Sequence, residues 1–160
     1  MIELEKIAID KLLERGVQIE KMAQIVFDLQ KSYNSKISLV ECEDAIKSIL
    51  KKREVIHTIL TGIALDECAE KKLLMEPLNN IINNDYSLYG IDEILALSIV
   101  NIYGSIALTS FGYLDKTKPS IIGEIDKKGK EKEHCNTFLD DIVCAIISAG
   151  CSKVAHQKKA

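Results

Sequence analysis

From Ile94 to Leu114 the sequence runs for 21 residues without a charge. A stretch this apolar is kept from water, either in a bilayer or in a protein core. Length alone makes it a transmembrane candidate. Ser98, Asn101, Ser105 and Thr109, however, fall at steps of three, four and four, which lays a polar stripe along one helical face. The spacing predicts a central helix buried in a helical bundle, with no membrane span.

The rest of the chain also has a helical period. Residues 2–14 place Ile2, Ile9, Leu12 and Leu13 among charged residues, and Gly16 closes the run. Residues 18–33 repeat the pattern. Ser38 and Glu41 form a capping box, in which hydroxyl and carboxylate satisfy each other's amides. Further helices are predicted near 53–60, 65–74 and 77–83, the last with Pro77 in its first turn. Asn83-Asn84-Asp85 reads as a turn. A second apolar helix spans about Thr137 to Val154, and the charge-rich Lys127–His134 stretch reads as an exposed loop. No segment alternates with period two for long enough to be a strand. The fold class is therefore all-α: one domain over 1–160, a bundle of about seven to nine helices with two central apolar ones. Residues 1–75 form its amphipathic part and residues 86–155 its chemically interesting core.

Composition excludes several functions. The 21 basic and 24 acidic residues give a net charge of −3, without the basic surplus of a nucleic-acid-binding module. The start, Met-Ile-Glu-Leu-Glu-Lys, lacks the basic segment of a secretory signal. Five cysteines with no Cys-x-x-Cys pair point to reduced thiols in a cytoplasm. Cys144 and Cys151, seven apart, read as core positions, and His57 and His156 as exposed ones. His134-Cys135 lacks further ligands at zinc-site spacing.

Both apolar helices open in the same way. Asp92-Glu93 precedes the first and Asp140-Asp141 the second. Acids in a first turn suit the helix dipole, and Thr137 with Asp140 matches a capping box. Yet adjacent helical residues point about 100° apart, so both members of a pair cannot face water on a surrounded helix. Buried carboxylates are costly unless paired or bound to a cation. Two facing pairs suit a hard divalent cation, Mg²⁺ first and Mn²⁺ second. Between the helices, Asp115 offers a fifth carboxylate. Lys118, before the helix-ending Pro119, offers a cation that could hold a phosphate.

These residues carry a resemblance to a known family. The stretch from Tyr89 to Gly150 resembles the core of phosphatidylglycerophosphatase A. Asp92-Glu93-Ile94 is similar to its first acidic element, and Leu114-Asp115 with Lys118-Pro119 and Asp126 to its second. Leu139-Asp140-Asp141-Ile142-Val143, running on to Ser148-Ala149-Gly150, is similar to its Asp-Asp helix. The whole chain resembles a non-membrane, all-helical branch of Gram-positive bacteria. The resemblance implies Mg²⁺-dependent removal of the terminal phosphate of phosphatidylglycerophosphate or a related phosphate ester. It implies metal-site roles for Asp92, Glu93, Asp115, Asp126, Asp140 and Asp141, and catalytic roles for Asp141 and Lys118. It implies no other cofactor, and a cytoplasmic protein that meets a phospholipid from the membrane surface.

The chain departs from membrane-embedded members in its amphipathic first half, in Gly112 where they carry Arg, in Ala96 where they tend to have Gly, and in Lys132–Asn136 where they are Gly-rich. Lys153, Lys158 and Lys159 cluster near the C-terminus without forming a basic amphipathic face. Two other phosphohydrolase patterns are incomplete. Glu67-x-x-Glu70 has no second half, and no His precedes an Asp. A non-enzymatic, metal-binding regulator or adaptor is the alternative reading. Burial of the uncharged run between subunits leaves a homo-oligomer open.

Overall fold

The computed structural model describes residues 2–157, of which Ile2 only by its backbone; Lys158 and Lys159 lie outside the described residues. Nine helices and no strand occur among them. The amphipathic pattern of the first half becomes α1 (Ile2–Glu14), α2 (Ile19–Gln30) and α3 (Leu39–Leu50). The capping box at α3 forms as expected: the Glu41 amide donates to Ser38 Oγ (3.2 Å) and the Ser38 amide to Glu41 Oε2 (2.7 Å).

The two helices predicted near 53–60 and 65–74 are one, α4 (Arg53–Glu70). Gly62 lies inside it and does not break it. The missing Cβ makes room for the side chains of Ile142 and Phe138, which press against this point. The short α5 (Leu78–Asn83) follows, with Pro77 at its N-cap.

The uncharged run is not a single helix. It divides into α6 (Ile91–Tyr103) and α7 (Ser105–Thr117) at Gly104, whose φ of +83° only glycine adopts at no steric cost. Nor is it fully buried. Each helix turns one face inward, and Ser98, Asn101, Ser105 and Thr109 are all exposed on the other. Lys127 to Lys130, expected in a loop, complete α8 (Ile121–Lys130), because Ile121, Ile122 and Ile125 give that segment a buried face.

The last helix, α9 (Leu139–Gln157), is the axis of the molecule. Every residue from Leu139 to Ser152 is buried. It packs against α2, α3 and α4 of the first half and against α6, α7 and α8 of the second. A helix surrounded in this way must be apolar nearly all round. No helix among the described residues is long and apolar enough to cross a membrane.

Candidate functional site

α6 and α9 lie parallel, so their acidic first turns meet. Asp92 on α6 is hydrogen-bonded through its side chain to Asp141 on α9. At the far ends the Ser152 hydroxyl donates to the Tyr103 carbonyl, 2.7 Å away. An edge-to-face contact between Tyr89 and Phe138, with centroids 6.1 Å apart, joins the two entry segments. The turn at Gly104 then sends α7 back, and its last turn returns Asp115 to the same place. An unbroken helix would have left Asp115 about 34 Å from Asp92, at 1.5 Å per residue. The break that the apolar pattern hid is what assembles the site.

Lys118 caps α7 in the left-handed conformation (φ 44°, ψ 57°), its amide donating to the Leu114 carbonyl at 2.8 Å. Its Nζ lies 3.3 Å from Asp115 Oδ1 and 3.3 Å from Asp140 Oδ2. Burial opposes its charge, but Asp140 and Asp115 outweigh it and hold the ammonium well above the ordinary lysine range. Asp140 also accepts the amide of Asp141 at 2.8 Å.

Asp92, Asp140 and Asp141 are all buried, at 8%, 6% and 4% exposure. Burial pushes Asp140 up; Lys118 opposes this, while Asp85 and Asp126 add to it. Burial likewise pushes Asp141 up, reinforced by Asp140 and Asp92. Glu93 sits at the exposed rim, raised by desolvation of its carboxyl and then by Asp115 and Asp92. Asp126, on α8, is paired with Lys130 at 2.8 Å and lies close enough to raise Asp140.

All the sequence-predicted site residues are thus brought to one region. Among the described residues, however, no three carboxylates, thiols or imidazoles already converge on one ion position. The Lys118 ammonium separates Asp115 from Asp140, and a hydrogen bond ties Asp141 to Asp92.

Three further residues belong here. Asp85 sits in the turn after α5 and lines a cleft of about 230 Å³ with Asp126, Asn136, Thr137 and Asp140. Desolvation raises it, as do Asp92 and Asp126. Asn136 is 5% exposed. Its Nδ2 donates to the Ile125 carbonyl at 3.0 Å, while its Oδ1 has no hydrogen-bond partner. The third is Asp66 on α4.

The predicted Thr137–Asp140 capping box does not form. Thr137 Oγ1 donates instead to the Ile82 carbonyl at 2.6 Å. The first turn of α9 is capped by Asp66, whose two oxygens accept the amides of Phe138 and Leu139, each at 3.0 Å. Asp66 is fully buried, and burial pushes it up to about 8, with those two amides and Arg15 opposing. Arg15 ties the same corner together, 2.7 Å from Glu70 and 2.6 Å from the Cys135 carbonyl. Glu67 and Glu70 are therefore partners of Lys11 and Arg15 in packing α1 on α4. Asp85 gave only a turn signal, and Asp66 lies 72 residues from the amide it caps. No local pattern reveals such a pairing. Cys144, near Asp140 and Asp141, is a buried thiol pushed far up by burial and then by those acids, and Cys151 is buried too.

The profile of the family described as phosphatidylglycerophosphatase A matches residues 9–156. YpjQ of Bacillus subtilis strain 168 is 52% identical over 156 residues, covering 98% of this chain and 86% of that one. Its crystal structure superposes with a TM-score of 0.90, covering 96% of this chain and 94% of that one. YutG of the same strain is 48% identical over 157 residues, 98% of this chain and 93% of that one. The low temperature requirement C protein of Listeria monocytogenes is 49% identical, with a TM-score of 0.91 and coverage of 96% and 95%.

Proposed function

The chain belongs to the phosphatidylglycerophosphatase A family, and from that premise we propose that it is a divalent-cation-dependent phosphoric monoester hydrolase acting on phosphatidylglycerophosphate or a related phosphate ester. The observation that carries the reading is the convergence of two contacts, Asp92 with Asp141 and Lys118 with both Asp115 and Asp140.

The donor set suits Mg²⁺, with Mn²⁺ as the second candidate. Its oxygens are hard ligands, and its buried carboxylates outnumber the cations beside them. Asp92, Asp115, Asp140 and Asp141 would hold the ion, with Glu93 at the rim and Asp126 beyond Asp140. When bound, such an ion polarises phosphoryl oxygens and acidifies a neighbouring water. The protein's own groups do the rest. Lys118 is protonated throughout the working pH range and is placed to take up phosphate charge. Asp141, raised by burial, carries a proton at neutral pH in the metal-free protein. Holding the ion would displace the proton of Asp141, so binding would release protons.

The test is phosphate release by purified protein from phosphatidylglycerophosphate, glycerol phosphates, sugar phosphates and nucleotides, with Mg²⁺ and with EDTA. EDTA-sensitive release from one class is the expected result. Metal-dependent activity surviving in Asp140→Asn with Asp141→Asn would sink the site assignment. Stoichiometric Mg²⁺ binding with no turnover on any ester would replace the enzyme by a metal-binding regulator or adaptor.

A further inference from the structure

We propose that the exposed face of α6 and α7 is the surface through which two copies of this chain pair. Ile94, Ile102, Leu108 and Tyr113 are 60%, 40%, 55% and 54% exposed. All four belong to the run from residue 94 to residue 114, which contains no charged residue. Single exposed apolar residues are ordinary on a protein surface, but several on one uncharged face mark an interaction site.

Gly112 gives an independent indication. It lies in the middle of α7, exposed, and a Cβ built on it meets nothing within 4 Å. Glycine weakens a helix interior relative to alanine. Packing within one copy gives no return for that loss, because neither the backbone nor any neighbour requires the missing side chain. A helix from outside that crosses α7 at Gly112 does require it, since two backbones approach closely only where no Cβ intervenes. Thr109 and Ser105 extend the same small-residue track, about one and two turns earlier. Shallow grooves of about 430 and 420 Å³ run between α7 and the end of α2, lined by Ile106, Thr109 and Tyr113 from α7 and by Gln30 and one charged residue, Asp28, from α2, and can receive side chains from the incoming helix.

Charge selects the occupant. The residues bordering the run are Glu93 on one side and Asp115 and Lys116 on the other, a net negative edge. Docking on an anionic bilayer needs a basic border. Within the run itself a charged protein partner finds no counter-charge. An uncharged face fits another uncharged face, and a two-fold pairing lets the same patch serve both sides. The pairing is independent of the metal reading.

Sedimentation velocity of the full chain, without added metal, tests this. The wild type should sediment as a dimer at micromolar concentration. Ile102→Lys with Leu108→Lys should be monomeric, its dissociation midpoint raised at least about tenfold, with unchanged helical circular dichroism. Gly112→Ala is the second arm and guards against a misfolded double variant. On a packed interface it should also weaken the dimer about tenfold. A monomeric wild type would overturn the proposal, as would a double variant that folds and still dimerises. So would a Gly112→Ala protein that melts higher and associates as before, or a monomer that co-sediments with phosphatidylglycerol vesicles.

Discussion

α6 and α9 begin with the same arrangement, two adjacent acids and then an apolar run, and their surroundings treat it differently. α9 is enclosed by six other helices, so Asp140 and Asp141 are both inside. α6 is covered on one side only. Asp92 points in, and Glu93, about 100° further round, points out. The caps differ as well. Asp66 accepts two backbone amides at the start of α9. The start of α6 has Gly90 at φ +78° and no side-chain cap. The dipeptide alone does not decide whether an acid is solvated or costly. The packing of the helix that carries it does.

Activity should separate the two starts most widely. Asp140→Asn with Asp141→Asn should lower metal-dependent phosphate release by about 10³-fold or more. Glu93→Gln, at the exposed rim, should lower it by only about tenfold. Steady-state rates at saturating Mg²⁺ measure both. Equal losses would show that burial does not rank these carboxylates.

Stability should separate them next. Asp66→Ala strands two buried amides and should cost about 3 kcal/mol. Gly90→Ala, at a left-handed position with room for a Cβ, should cost about 1 kcal/mol. Urea unfolding of the two variants checks the ratio. A loss at Asp66 as small as that at Gly90 would mean α9 does not depend on its remote cap.

The pH dependence comes from the α9 side. Asp66 is pushed up to about 8 by burial, and burial raises Asp140 and Asp141 too. Unfolded, each titrates near an ordinary value of about 4. The folded chain therefore holds more protons than the unfolded one. This contribution to stability is complete below about pH 4 and is lost as pH rises toward about 8. Metal-free protein should unfold at lower urea concentration at about pH 8 than at about pH 5, and Mg²⁺ should restore more stability at the higher pH. Metal-free stability rising over that interval would mean these acids are not held protonated.

Much of this was legible in the sequence, and the exceptions have physical causes. Periodicity exposed the helices, because burying one face imposes a spacing that survives in the chain. The acids of α6, α7 and α9 stood out because charges beside apolar runs are expensive. Gly104 was hidden, since a glycine within an uncharged run reads equally as small-residue packing; its φ exists only in three dimensions. The break expected between residues 60 and 65 does not occur, and α4 runs on through Gly62. Asp66 and Asp85 could not be picked out, because each acts on partners far along the chain. Their local neighbourhoods are an ordinary helix and an ordinary turn.

The smallest expected effect lies where one start has a cation and the other does not. Lys118 is within 3.3 Å of Asp140 on α9, and no such contact joins it to Asp92 or Glu93 among the described residues. Its position depends on Gly123. A Cβ there would stand 2.6 Å from the Lys118 carbonyl oxygen, a backbone atom that cannot rotate away. Gly123→Ala must therefore shift the 118–120 turn and draw the ammonium from Asp115 and Asp140. Stability should change by about 1 kcal/mol or less, since alanine favours helix α8 while the displaced turn opposes it. The KM for a phosphate ester should rise several-fold, as expected for loss of charge pairing with bound phosphate. Kinetics of Gly123→Ala beside Lys118→Ala decide the matter. If Lys118→Ala raises KM and Gly123→Ala does not, the lysine finds phosphate without the turn that holds it between α7 and α9.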